Sequence, residues 1–236
     1  MPQCLCVCIL LSIILMSMKY IISWSGGKDC CLALHKAIKQ YGNPVMLLSS
    51  VPVDEAQTLA HGYRESVLQL QAEAMDLPIE FMYFNGNYRQ AYVDTLTRLK
   101  EEKEIEAVVY GDLYLEEHHT WLTAVCDEVG LVPVFPYWIK PEEAAGVMAE
   151  FLSSGIRAVL VNVDKELIEK HWLGKDINDD FARLAAGRYC PMGENGEFHS
   201  LVVDGPLFHR SLRITNYELH EDDKRFGLTI NEIELV

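Results

Sequence analysis

Between Lys19 and Pro136 the chain alternates short apolar runs with longer stretches whose apolar positions recur at helical spacing. The runs Tyr20–Trp24, Val45–Ser50, Ile79–Phe84, Ala107–Tyr110 and Val132–Phe135 predict strands. Between them, Asp29–Gln40, Gly62–Met75, Tyr88–Lys103 and Glu117–Val129 predict helices. Strands alternating with helices predict an α/β fold, a doubly wound parallel sheet of the Rossmann-like type covered on both faces. In such sheets the crossovers are right-handed and ligands sit at the carboxyl ends of the strands.

After Pro136 the pattern changes. Pro141-Glu142-Glu143 opens a helix through Leu152, with proline in the first turn where its missing N–H costs nothing. Ile156–Val161 predicts a further strand, and from Phe198 onward the chain reads as β-hairpins with Asp204-Gly205-Pro206 as a turn. There is no internal repeat, low-complexity tract or flexible linker. Residues 18–136 are thus expected to form the core domain, and residues 137–236 a smaller α+β lobe packed on it.

Residues 1–17 stand apart. From Leu5 to Met16 the chain is uncharged and almost wholly apolar, yet no basic segment precedes the run and no small-residue cleavage pattern follows it. The run is shorter than the roughly 20 residues of a membrane span. Lengthening it would consume Tyr20–Trp24, the first strand, whereas Met18 opens an ordinary soluble sequence. The extension is expected to be irrelevant to function. A peripheral membrane tether and a metal-binding or redox Cys4-x-Cys6-x-Cys8 are the other readings.

Composition narrows the function classes. Half of the 236 residues are apolar, enough for a sizeable core, and the formal net charge is −15. No cluster of Lys and Arg exceeds two residues, so extended nucleic-acid binding is not expected, although a local basic pocket remains compatible. The seven cysteines include no C-x-x-C pair, which fits reduced thiols in a cytoplasmic protein.

The chemistry is concentrated in Ser25-Gly26-Gly27-Lys28-Asp29, between the first strand and the first helix. Glycines let backbone N–H groups approach a ligand, and a helix N-terminus adds unsatisfied donors and partial positive charge. Ser25 adds a hydroxyl and Lys28 a full cation, which together make a phosphate cradle. The bland alternative is a glycine turn with Asp29 as the helix cap. The segment is neither a Walker A loop nor a G-x-G-x-x-G fingerprint.

The five residues match the PP-loop of ATP pyrophosphatases, which cleave ATP between its α and β phosphates. Over nearly all of the chain from Met18 onward, the sequence resembles the diphthine–ammonia ligase family, especially its short members. The markers are Ser23-Trp24-Ser25-Gly26-Gly27-Lys28-Asp29, His61-Gly62 with Arg64, Gln71-Ala72-Glu73-Ala74, and Gly111-Asp112 with His118 and Trp121. Gly193-Glu194-Asn195-Gly196-Glu197-Phe198-His199 and Asp204-Gly205-Pro206-Leu207-Phe208 complete them, the former being the most specific. Two positions depart from the family pattern: Cys30 where Ser is usual and His119 where Arg is more usual.

The resemblance implies an ATP-dependent ligase. A carboxylate attacks the α-phosphate of ATP, pyrophosphate leaves, and ammonia displaces AMP to give an amide. It implies ATP held by Ser23, Ser25, Gly26, Gly27, Lys28, Asp29, Cys30 and Gly111, with Mg2+ on Asp29 and Asp112. Lys28, Asp112, Glu194, Asn195, Glu197 and His199 are the expected catalytic set. Glu194 and Glu197 flank a turn-forming Asn-Gly and are expected to converge on the incoming ammonium, the acceptor or a proton. His61 and Arg64, three apart on a predicted helix face, and His118 are expected near the substrate. The implied acceptor is diphthine on elongation factor 2 or a related acid, and a homodimer is left open. Two rivals remain: a PP-loop tRNA-thiolation enzyme and a nucleotide-binding sensor without turnover.

Overall fold

The protein is described from a computed structural model covering residues 18–53 and 62–236. The 1–17 extension and His61 lie outside the described residues. The first sheet has five parallel strands in the order β3-β2-β1-β4-β5. These are β1 (Tyr20–Ser23), β2 (Met46–Pro52), β3 (Ile79–Phe84), β4 (Ala107–Val109) and β5 (Val132–Val134). Four helices connect them: α1 (Lys28–Tyr41), α2 (Glu65–Ala74), α3 (Tyr88–Lys103) and α4 (Glu116–Val129).

Successive strand side chains point to opposite faces, and the two cores follow from that. Tyr20, Ile22, Leu47 and Val109 pack with Leu34 of α1 and Leu68 of α2. Ile21, Leu48 and Val108 pack with Leu96 of α3 and Val125 of α4. The sheet is therefore wound on both sides, as its apolar runs require. Strand order reverses between β1 and β4, the switch point at which open α/β sheets bind ligands.

The chain then forms a short 3-10 turn (Pro141–Glu143), α5 (Ala144–Ser153), β6 (Arg157–Asp164) and a second 3-10 turn (Lys170–Trp172). After these come α6 (Asp179–Ala185), β7 (Phe198–Asp204), β8 (Leu212–Glu221) and β9 (Arg225–Leu235). The four strands make an antiparallel sheet in the order β7-β6-β9-β8. Phe151, Leu160, Phe198 and Leu201 join Leu34 and Leu68 in one apolar cluster, so this sheet packs on the α1/α2 layer.

Four local expectations change. The second helix begins at Glu65, because Arg64 has an extended backbone (φ −67°, ψ 144°) and precedes the first turn. Arg64 therefore precedes the helix, and the pairing expected with His61 lies outside the described residues. The helix opened by Pro141 is split, its first turn being 3-10. α6 was not expected: Asn178 starts it by accepting a hydrogen bond from the Phe181 N–H at 3.1 Å. The cap of α1 is Gly27, with Asp29 one position inside the first turn, so Asp29 is not held there as a capping residue.

Candidate active site

The Ser25–Asp29 loop is fixed from three sides. Gly26 has φ +80°, and a Cβ there would lie 2.5 Å from Leu68 Cδ2 and 2.8 Å from Gln71 Oε1. Only glycine fits this turn. Gln71 is wholly buried: it accepts from Trp24 Nε1 at 3.0 Å and donates to the Gly26 carbonyl at 3.0 Å and the Val202 carbonyl at 2.7 Å. Val202 N also donates to the Gly26 carbonyl, and Lys28 N donates to Ser200 Oγ at 3.2 Å. The loop is thus bolted to β7 of the second sheet. From the other side, Gly111 brings the end of β4 against α1, where a Cβ would lie 2.7 Å from Cys30 N.

Lys28 is 2% exposed, an uncommon state for a cation. Its Nζ meets Asp29 Oδ2 at 2.9 Å and lies 4.6 Å from the centre of the Phe198 ring, so the charge is paired and supported by a π face. The other Asp29 oxygen, Oδ1, is buried and accepts no hydrogen bond. Cys30 Sγ donates to the Gly27 carbonyl at 3.2 Å. Burial pushes its thiol pKa up, so this cysteine is a small protonated side chain and not a reactive thiolate.

These residues face a cleft of about 360 Å³. Ser23, Ser25, Lys28, Asp29 and Cys30 line one wall; Gly111, Asp112 and His118 line the second. Gly193, Glu194, Gly196, Phe198, His199 and Ser200 supply the third, from the other end of the chain. Asp112 caps nothing, since α4 starts from Leu115. Instead its Oδ1 lies 3.0 Å from His118 Nδ1, and this hydrogen bond raises the imidazole pKa.

Glu194 and Glu197 do not converge. Glu194 reaches across to accept from the backbone N–H of Leu113 at 2.9 Å and of Tyr114 at 3.4 Å. Burial pushes its carboxyl pKa up to about 7; the Asp29 and Asp112 charges add to this, while the two N–H bonds oppose it. Glu197 is buried at 7% exposure and turns into its own loop. It accepts from Cys190 N at 2.9 Å, Asn195 N at 3.0 Å and Asn195 Nδ2 at 3.1 Å. Asn195 and Glu197 therefore shape the loop that presents Glu194, and neither lines the cleft.

The remaining expected residues are dispersed. Arg64 lines a separate cavity beside the second sheet. His119 lies between the rings of Phe135 and Trp138, with centroids 4.5 and 4.3 Å away. The structure also adds residues that the motifs alone did not mark for the site: Ser200 and Phe198 against Lys28, and Gln71 beneath the loop. Phe198 and Gln71 stand inside quoted motifs, but the role of Gln71 depends on β7, 131 positions away.

A family model described as the diphthamide synthase N-terminal domain matches residues 18–133, and the corresponding C-terminal domain matches residues 143–236. The chain belongs to the diphthamide synthase family. Diphthine–ammonia ligase of Danio rerio is 26% identical, over 84% of this chain and 88% of that protein. The Schizosaccharomyces pombe enzyme of the same name is also 26% identical, but the match spans only 36% of its length. A structure of a predicted subunit of tRNA methyltransferase from Methanocaldococcus jannaschii is a distant likeness. It has 14% identity and a TM-score of 0.41, over 80% of this chain and 98% of that one. Family membership makes the protein an enzyme of the ligase class and supports ATP as its substrate. Among the described residues of this diphthamide synthase relative, no helix is long and apolar enough to cross a membrane.

Proposed function

We propose that the protein adenylates a carboxylate and transfers ammonia to it, releasing AMP and pyrophosphate, with diphthine on elongation factor 2 as the acceptor. The observation that carries this reading is the meeting of a phosphate-type loop with Glu194, a carboxyl held near neutrality inside the same cleft.

The loop's backbone N–H groups and buried Lys28 hold the β and γ phosphates, so that charge leaving with pyrophosphate meets a fixed cation. An acceptor carboxylate oxygen attacks the α-phosphorus, and the bond to the β-phosphate oxygen breaks. Ammonia then attacks the acyl carbon and AMP leaves. Ammonium must lose a proton before it attacks, and Glu194, with a pKa of about 7, is suited to take it. Asp112, bonded to His118, adds negative charge that holds a cation beside Glu194. His199 lines the same wall and is positioned to contact the acceptor.

Mg2+ fits the residues present, since Asp29 Oδ1 is buried with no hydrogen-bond partner and the Asp112 carboxylate also faces the cleft. No group of three or more His, Cys, Asp or Glu among the described residues forms a metal cage. That is compatible with Mg2+, which commonly takes one or two carboxylates together with phosphates and water. Held by Asp29 and Asp112, it would neutralise phosphate charge.

The test is nucleotide product identity with Mg·ATP, ammonium and elongation factor 2 bearing diphthine. AMP and pyrophosphate that form only with the acceptor are the expected result. ADP would defeat the mechanism, and ATP binding without turnover would point to the sensor.

A further inference from the structure

A second cavity of about 260 Å³ lies between the start of α2 and the face of the second sheet. Its apolar lining is Val67 from α2 and Val161, Leu228 and Ile230 from β6 and β9. Its polar lining is Arg64, Asn162, Thr229 and His220. This volume lies a little below the ~300–1,000 Å³ of drug-sized pockets and suits an arm the size of a side chain.

The two cavities share a wall. Asn162 lines the second cavity, His199 lines the cleft, and the two are register partners across β6 and β7. Directly paired residues on antiparallel strands stand roughly 5 Å apart on one face of the sheet. Arg225 secures this wall: it donates from Nη1 to Asn162 Oδ1 at 2.7 Å and from Nη2 to the carbonyl of Gly196, which itself lines the cleft.

The lining chemistry selects an occupant. Arg64 is the one Lys or Arg of this lining, on a chain of net charge −15. It is exposed and has no carboxylate within salt-bridge reach among the described residues. An exposed guanidinium above apolar walls favours an anionic group carried on a stem of methylenes. A bare nucleotide fits poorly, because the glycine loop and Lys28 face the other cavity.

We propose that this cavity is the acceptor subsite. It takes the stem of the substrate's carboxylate-bearing arm between its apolar walls, with Arg64 steering the negative charge on its way to the cleft. The His199–Asn162 wall places the arm beside the cleft in which ATP is split. This assignment rests on the amide-ligase reading above.

The experiment is steady-state kinetics of AMP formation with elongation factor 2 bearing diphthine, at varied acceptor and varied ATP. Arg64→Gln is an exposed change, and Leu228→Trp fills the cavity. Both are expected to raise the acceptor KM at least tenfold while the KM for ATP stays within about twofold, the loss being one of uniform binding. An unchanged KM for ATP shows that the variant is folded and its cleft intact. Wild-type turnover with unchanged acceptor KM in both variants would overturn the subsite and leave the ligase reading standing. No AMP from the wild-type protein would remove both together.

Discussion

The cleft is closed by two glycine-bearing loops that work in opposite ways. The 25–29 loop acts through its backbone, and its one charged base, Lys28, is buried and already paired with Asp29. The 190–197 loop acts through carboxylates, and its two glutamates lead separate lives. Glu197 is satisfied by three donors from its own loop, whereas Glu194 crosses to the segment after β4, where it gains two backbone partners, one short and one long, and two repelling neighbours. One loop is rigid before any ligand arrives. The other stores an unfavourable charge at the point where a proton has to move.

The sharpest way to break this contrast is to remove the cation of the first loop. Lys28→Ala should lower AMP-forming turnover by about 10³-fold, the scale on which a fixed charge at a developing anion is lost. Folding should persist, because Asp29 and Phe198 keep their backbone bonds. A rate within tenfold of wild type would show that the loop's backbone suffices.

Glu194→Gln comes next, at about 10²-fold in turnover, the lower end of general-base contributions. The wild-type rate should rise with pH through about 7, where Glu194 loses its proton, and the variant should lose that inflection. Stability should move the other way. A carboxyl raised in the folded state binds more protons than in the unfolded chain between roughly pH 4.5 and 7, so wild-type stability falls as pH rises through that window. Glutamine keeps the bonds from Leu113 and Tyr114 but carries no charge. The variant should be about 2 kcal/mol more stable than wild type at pH 8 and indistinguishable at pH 4, by thermal unfolding. Equal stability at both pH values would mean that Glu194 is not strained.

Glu197→Gln sharpens the same comparison, since its loss should be structural. Replacing a buried carboxylate that accepts three hydrogen bonds should cost about 1–3 kcal/mol and lower turnover roughly tenfold through a loosened Glu194. The pH inflection should stay near 7. If it vanishes here and survives in Glu194→Gln, the two assignments are exchanged.

What could be read in the sequence follows the same division. The five parallel strands were legible because each is an apolar run between helical periods, and the first loop because its mechanism is local: strand, glycines, cation, helix. The start of α2 falls three residues after the expected Gly62, because Gly62 has a positive φ of 67° and Arg64 an extended backbone, and neither conformation continues a helix. α6 was missed although Asn178-Asp179-Asp180 is a fair start signal, because seven residues hold too little periodicity to stand out. The fates of Glu194 and Glu197 were out of reach. Both are glutamates in one turn, and only contacts with Leu113 and Tyr114, about eighty positions away, separate them.

The smallest expected effect concerns Cys30, where the family pattern has serine. If the first loop works through backbone and one cation, the side chain at this position should matter little. Cys30 Sγ now donates to the Gly27 carbonyl and sits near Ser25 Oγ, 3.4 Å away. A serine hydroxyl can make the same donation in the first turn of α1 with a shorter bond and a smaller atom. Cys30→Ser should therefore leave the KM for ATP and the turnover within about threefold, and stability within roughly 1 kcal/mol. Because burial keeps the wild-type thiol protonated, alkylating agents should also leave Cys30 unmodified while the protein is folded. Rapid labelling of Cys30 in the native protein, with parallel loss of activity, would show that the loop opens, and the rigid half of the comparison would fall.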